Sequence, residues 1–185
     1  MNWDSLLRWD NQISTKMRLT QDQPGWKLVA FLAHSGDSWF WLAGLGLVWL
    51  AGSRWWHQTS ALLGIGVVVL AALVLAIKFT VRRSRPPGEW GAVYRNTDPH
   101  SFPSGHAARS AMLAVMALGL GPAWFGWLVL IWAPLVSLAR VMTGMHYVVD
   151  VLAGLVLGVL MGFAMLAAQP LWMAAFPFVF TPLWP

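Results

Sequence analysis

From Thr59 to Phe79 the chain carries a single charged side chain, Lys78. As a helix this stretch is about 30 Å long, the thickness of a bilayer's hydrocarbon core. A run of this kind must be enclosed by protein or by lipid. Further apolar runs occupy 38–52, 104–120, 123–142 and 147–168. Enclosing all of them in protein would take a large polar shell, yet only 10% of the 185 residues are charged, against about 25% in a soluble domain. Many of the fourteen Trp stand near the ends of these runs (Trp39, Trp41, Trp55, Trp56, Trp124, Trp172), where amphipathic rings anchor at lipid headgroups. The expected fold is all-α: one integral membrane helical bundle of about five transmembrane helices in a single domain, 1–185.

The flanks differ from the bundle. Residues 1–20 interleave Leu6, Leu7, Trp9, Ile13, Met17 and Leu19 with Asp4, Arg8, Asp10, Lys16 and Arg18. This is an amphipathic helix suited to lie flat in the interface or to pack on neighbouring protein. Pro24-Gly25 ends it, and Trp26–Ala33 is too short to span alone. The interfacial region is therefore set at 1–34, the transmembrane bundle at 38–169, and an interfacial tail at 171–185. A turn is expected over 53–58, with the second span starting at Thr59. In the fifth span, Ala153, Gly154, Gly158 and Gly162 permit close helix packing. The first twenty residues lack a continuous apolar core, so no cleavable leader is expected. With no Cys, disulfides and thiol catalysis are excluded. The net charge of +5 comes from basic groups beside apolar segments. That favours headgroups or phosphate esters as partners over nucleic acid.

Charges within or against spans are functional candidates by default. Lys78 ends the second span, and Arg85 lies seven residues on, in the longest polar connection, 80–103. Were the helix to continue, the two would share one face, and two cations there repel unless an anion lies between them. Snorkelling to headgroups is the plainer reading of Lys78. Arg82 and Arg83 are read as facing solvent or headgroups and are left out of the site. After Pro103, Ser104-Gly105-His106 opens an apolar helix, and a helix start presents unpaired N–H groups to an anion. Ser104 suits an N-cap or a donor to phosphate. Gly105 admits a ligand to the backbone, and His106 sits in the first turn. Downstream, Thr143-Gly144 is placed to break the helix between Arg140 and His146. His146 and Asp150 are four apart, the spacing of one helix face. A carboxylate beside an imidazole fixes its tautomer and leaves the other nitrogen free to attack.

Two His, one Asp, two Arg, one Lys and a helix start, with few carboxylates, fit displacement at phosphorus by a histidine nucleophile without metal or cofactor. These residues also resemble a known family. Lys78-x6-Arg85-Pro86, Pro103-Ser104-Gly105-His106 and Arg140-x5-His146-x3-Asp150 are similar to the three-part signature of the type-2 phosphatidic acid phosphatase family. That family holds membrane lipid phosphatases and shares its site with vanadium haloperoxidases and bacterial acid phosphatases. The resemblance implies that Lys78, Arg85 and Arg140 hold phosphate oxygens, with Ser104 and Gly105 completing the cradle. It implies that His106 protonates the leaving oxygen. His146 would form a phosphohistidine, oriented by Asp150. One departure is Ala139, where the family usually has Ser. Another is the N-terminus, since longer members begin with an additional span.

Orientation is contested within the sequence. Six of the twelve Lys and Arg flank the site loop (Lys78, Arg82, Arg83, Arg85, Arg95, Arg109), which by the positive-inside rule would lie in the cytoplasm. The resemblance implies the outer face of a bacterial inner membrane, and substrate accounts for several of these cations, so the outer face is the expectation. The expected activity is hydrolysis of a lipid phosphate or pyrophosphate: undecaprenyl pyrophosphate, phosphatidylglycerophosphate or phosphatidic acid. Transfer of the phosphoryl group to another acceptor is the alternative within enzymes. A lipid-binding or transport protein is the alternative outside them.

Overall fold

The computed structural model describes residues 3–87 and 98–182. Among them the regular structure is helical: α1 (Trp3–Lys16), α2 (Trp26–Ser35), α3 (Ser38–Ala51), α4 (Arg54–Val81), α5 (Gly105–Leu120), α6 (Ala123–Met142), α7 (Val148–Ala167), α8 (Gln169–Ala175) and α9 (Pro177–Phe180). α4, α6 and α7 are long and apolar enough to cross a membrane, while α3 and α5 are apolar but shorter. Helix α5 is central, packed chiefly on α6 and α7 and also on α4. Its Ala108, Met112, Leu113 and Met116 are buried in one core cluster with Leu62, Val67 and Leu70 of α4, while Ala107 is buried in another with Val141 of α6 and Val151 of α7.

The outer faces are the reverse of a soluble bundle. Val68, Ile131, Val156, Leu160 and Phe163 are each 57–63% exposed. Water would not tolerate so continuous an apolar belt, whereas lipid tails cover it at no cost. The chain is thus an integral membrane protein with its apolar side chains facing both inward and outward.

Small residues set how closely α7 approaches α5. A Cβ on Gly158 would lie 2.0 Å from the Ala108 carbonyl oxygen, and one on Gly154 2.5 Å from that of Ser104. Either would push the two helices apart. Their first turns are further joined where the Ser104 N–H donates to the Asp150 carbonyl at 2.9 Å. The start of α5 and the start of α7, which carry separate parts of the expected site, are therefore held side by side.

Three boundaries differ from expectation. α4 begins at Arg54, so the turn shrinks to Gly52-Ser53. No Gly or Pro interrupts 54–58, and Ser53 is a favoured N-cap residue type. At its other end α4 stops at Val81, with Arg82 in the left-handed region at φ 53°. Continuation as far as Arg85 is barred as well, because Arg85 precedes Pro86 and a residue before proline is driven out of the helical region. Lys78 and Arg85 consequently do not share a helix face. The tail is not simply spread at the interface. Trp49 Nε1 donates to the Val179 carbonyl at 2.8 Å, and Phe180 is buried against the α3–α4 hairpin. Arg95 of the site loop and 183–185 of the tail lie outside the described residues.

The N-terminal helix has one face docked on protein. Asp10 is fully buried, and its Oδ1 accepts from the Val149 N–H at 3.1 Å. Ser14 Oγ accepts from the Val148 N–H at 3.0 Å. Two of the unpaired donors at the start of α7 are thereby capped by α1, while Trp9 stays exposed.

Candidate active site

A cavity of about 490 Å³ opens at the ends of α4, α5 and α6. Of the residues expected in the site, Lys78, Gly105, His106, Arg140 and His146 line it. Arg85 touches His146 beside it, and Ser104 and Asp150 lie buried behind. A larger cavity of about 680 Å³, between Trp41, Trp56 and Phe125, has no ionisable lining residue and lies elsewhere. The smaller one is therefore the candidate site. Part of its wall is apolar: Trp39 of α3 and Leu70, Val74 and Leu75 of α4.

The turn after α6 sets the position of His146. Gly144 adopts φ 69°, a conformation that suits glycine. This reversal lets the Met145 and His146 N–H groups both return to the Arg140 carbonyl at 3.2 Å. His146 precedes α7, so it shares no helix face with Asp150, contrary to the spacing argument. The two face each other across the cap of α7, with His146 Nδ1 3.7 Å from Asp150 Oδ2. That is beyond hydrogen-bond length. The same oxygen accepts from the Tyr147 N–H at 3.0 Å, which holds it back. On the opposite edge of the ring, Nε2 stands 3.3 Å from Arg85 Nη1.

The cations converge from three elements. Lys78 Nζ and Arg85 Nη2 meet Asp98 Oδ2 at 2.5 and 2.8 Å. An anion does lie between them, and it is a carboxylate of the loop. Arg85 also donates from Nε to the Asp98 carbonyl at 2.7 Å. Arg140, almost wholly buried, donates to the Ala33 carbonyl at 3.2 Å. Ser104 is an N-cap in the plain sense: its Oγ accepts from the Ala107 N–H at 3.4 Å.

Four further charged residues belong to this region and were not singled out. Arg83, set aside as facing solvent or headgroups, is 17% exposed and bridges two carboxylates. It donates to Asp150 Oδ1 at 2.6 Å and Asp10 Oδ2 at 2.7 Å. Two carboxylates on different helices are what draws it inward. Asp37, between α2 and α3, accepts from His106 Nε2 at 2.6 Å. Arg109, one turn beyond His106, donates to the Gly36 carbonyl. Asp98 completes the set. In the sequence Asp37, Arg83 and Asp98 fall in connections and Arg109 within an apolar helix, each separated from its partners by 13 to 73 residues; the signal they carry in the sequence is the cost of burying a charge, clearest for Arg109 inside a span.

Burial pushes the His146 imidazole down to about 3, aided by Arg140 and Arg85 and opposed by Asp150. The ring is therefore neutral above that value, with a lone pair available at ordinary pH. At Asp37 burial acts upward, but the His106 hydrogen bond and the charges of His106, His34 and Arg140 outweigh it and hold the carboxylate down at about 2. The arrangement offers a neutral imidazole facing guanidinium and ammonium groups, beside a second histidine tied to a carboxylate. It is suited to nucleophilic attack on a phosphoryl group.

Known proteins resemble the chain in sequence and in fold. The family profile of the PAP2 superfamily matches residues 59–174. A decaprenylphosphoryl-5-phosphoribose phosphatase from Mycobacterium tuberculosis is 34% identical over 146 residues, 76% of this chain and 79% of the relative. An undecaprenyl-diphosphatase from Sulfolobus acidocaldarius is 32% identical over 141 residues, 71% of this chain and 64% of the relative. The crystal structure of a transmembrane PAP2-type phosphatidylglycerolphosphate phosphatase from Bacillus subtilis superposes with a TM-score of 0.70 at 24% identity, covering 90% of this chain and 87% of that one. At that identity the likeness is one of fold.

The depressed His146 gives an expectation for pH dependence. kcat/KM reports ionisations of free enzyme and free substrate. Since His146 is already neutral above about 3, the acid limb between pH 5 and 7 should follow the phosphate of the substrate, shifting when that phosphate is exchanged for a more acidic one. An acid limb fixed near the ordinary histidine value of about 6.5 for both substrates would contradict this.

Proposed function

The chain belongs to the PAP2 superfamily, and from that membership we propose that it hydrolyses the phosphomonoester or pyrophosphate of a membrane lipid through a phosphohistidine on His146. The observation that carries this reading is the setting of His146: buried, neutral, Asp150 behind Nδ1, and the cation cluster in front of Nε2. In the first step Nε2 attacks phosphorus, and the bond to the leaving oxygen breaks. Lys78, Arg85 and Arg140 neutralise charge on the equatorial oxygens, joined by the N–H groups at the start of α5 beside Ser104 and Gly105. His106 donates a proton to the leaving oxygen. In the second step water attacks the phosphohistidine and His106 takes its proton. Asp150 orients His146 and stabilises the cationic ring that forms.

No step calls for a metal ion. Among the described residues, no three His, Asp or Glu side chains gather as a metal-ligand group. The cavity wall supports a lipid substrate: Trp39, Leu70, Val74 and Leu75 offer a lipid tail an apolar surface next to the cations. The named activities of the relatives favour polyprenyl phosphates and pyrophosphates, with phosphatidylglycerophosphate and phosphatidic acid as further candidates. On this reading residues 1–185 act as one membrane-embedded domain, with the site on the outer face of a bacterial inner membrane.

Purified protein is expected to release phosphate from a panel of these lipids with EDTA present, and vanadate should inhibit it. His146→Ala should lower kcat by at least about 1,000-fold while the thermal midpoint in detergent stays close to wild type. Strict dependence on added divalent metal, or full turnover by His146→Ala, would overturn the mechanism. For orientation, the chain has no native Cys, so Arg82→Cys at an exposed position supplies a unique label. A membrane-impermeant maleimide should modify it in intact cells. Modification only after lysis would place the site inside.

A further inference from the structure

The turn between α2 and α3 is built as a support. Four groups from three other elements hold it. Arg109 of α5 donates to the Gly36 carbonyl, and Arg140 of α6 donates to the Ala33 carbonyl at 3.2 Å. Trp41 Nε1 of α3 donates to the Ser35 carbonyl at 3.1 Å, and Trp132 Nε1 of α6 donates to Ser35 Oγ at 2.9 Å. The turn lies flat against His106. A Cβ on Gly36 would sit 3.2 Å from His106 Cδ2, closer than ordinary contact. From this clamped turn Asp37 reaches His106 Nε2 at 2.6 Å.

Asp37 occupies the N-cap position of α3, yet its side chain caps no N–H group. The carboxylate is directed at the imidazole instead. Its second oxygen stands 3.4 Å from His34 Nδ1 of α2. The charged groups that act on the pair are Arg109 from α5 and Arg140 from α6. Burial first, and then these two cations, disfavour a positive charge on His106. A carboxylate in hydrogen-bond contact works against them.

We propose that Asp37 is a positioning residue for the leaving-group acid: it binds Nε2 of His106, fixes the ring, and leaves Nδ1 as the nitrogen that protonates the departing oxygen. This rests on the phosphatase reading above. In the step concerned, the bond between phosphorus and His146 Nε2 forms as the phosphorus–oxygen bond breaks. Its electron pair stays on the leaving oxygen, which takes the proton from His106 Nδ1. In the second step water returns a proton to that nitrogen. Both histidines then stand against a carboxylate, His146 against Asp150 and His106 against Asp37. The second of these pairs is assembled from segments 69 residues apart.

An acid matters in proportion to how poor the leaving group is, which separates this role from a structural one. Asp37→Asn would be assayed with an alkyl lipid phosphate, whose alkoxide needs a proton, and with para-nitrophenyl phosphate, whose phenolate departs without one. Read in kcat/KM, which covers the steps up to departure of the leaving group and not the later attack of water that both substrates share, the expected result is a fall of roughly 100-fold on the alkyl substrate and of less than about three-fold on the aryl substrate. His106→Ala should show the same split. Asp37→Ser keeps a favoured N-cap residue type and loses the carboxylate, so it guards against a folding defect in Asp37→Asn and should behave alike. Equal losses on both substrates, or no loss on either, would overturn the role given to Asp37. Absence of phosphate release from both substrates by the wild-type protein would instead overturn the phosphatase reading itself.

Discussion

Charge burial governs this molecule. Lys78, Arg85, Arg109 and Arg140 are each no more than 7% exposed inside a bundle whose outer surface is made for lipid. Two opposite unit charges at 4 Å attract by about 4 kcal/mol at an effective dielectric near 20, and an unmatched buried charge forfeits several kcal/mol of hydration. The folded chain answers by drawing acceptors to each cation. Asp98 serves Lys78 and Arg85, while the carbonyls of Ala33 and Gly36 serve Arg140 and Arg109. Asp37, on the same cavity, adds one negative charge that acts on both guanidinium groups. The cavity is lined by three cations, Lys78, Arg109 and Arg140, against two carboxylates, Asp37 and Asp98, so positive charge is in excess there, which favours an anionic group.

That requirement also explains why the outlying segments are where they are. Helix α1 caps α7 with Asp10 and Ser14 and, through Arg83, shares a counter-charge with Asp150. Asp150 is therefore held at three points: by Arg83, by the Tyr147 N–H, and through its carbonyl by Ser104. The 3.7 Å gap to His146 Nδ1 is one small rotation from a hydrogen bond. Positive charge growing on the imidazole as phosphorus bonds to Nε2 would draw that contact closed. The α2–α3 turn is a second such support, on the side of His106.

Much of this was legible in the chain because it is local. Long apolar runs specify spans, Ser104-Gly105-His106 specifies a helix start, and Thr143-Gly144 specifies the reversal that brings His146 back beneath Arg140. What stayed hidden depends on distance in sequence. Nothing in the neighbourhood of Asp10, Asp37 or Arg83 distinguishes a surface charge from a buried one, because each partner arrives from a helix many residues away. The shared face expected of Lys78 and Arg85 is absent because the helix ends at Val81, with Arg82 left-handed and Pro86 barring Arg85 from a helix. His146 and Asp150 lie 3.7 Å apart although they share no helix face, since the residue before an N-cap and the third residue of the helix also lie close together.

The central claim is that His146 is the attacking atom's source and that phosphorus is displaced twice. The stereochemical course at phosphorus tests this most directly, using a lipid thiophosphate made chiral with oxygen isotopes and hydrolysed in isotopically labelled water. Two in-line displacements, first by His146 and then by water, predict net retention. Net inversion would mean that water attacks the substrate directly and would contradict the account.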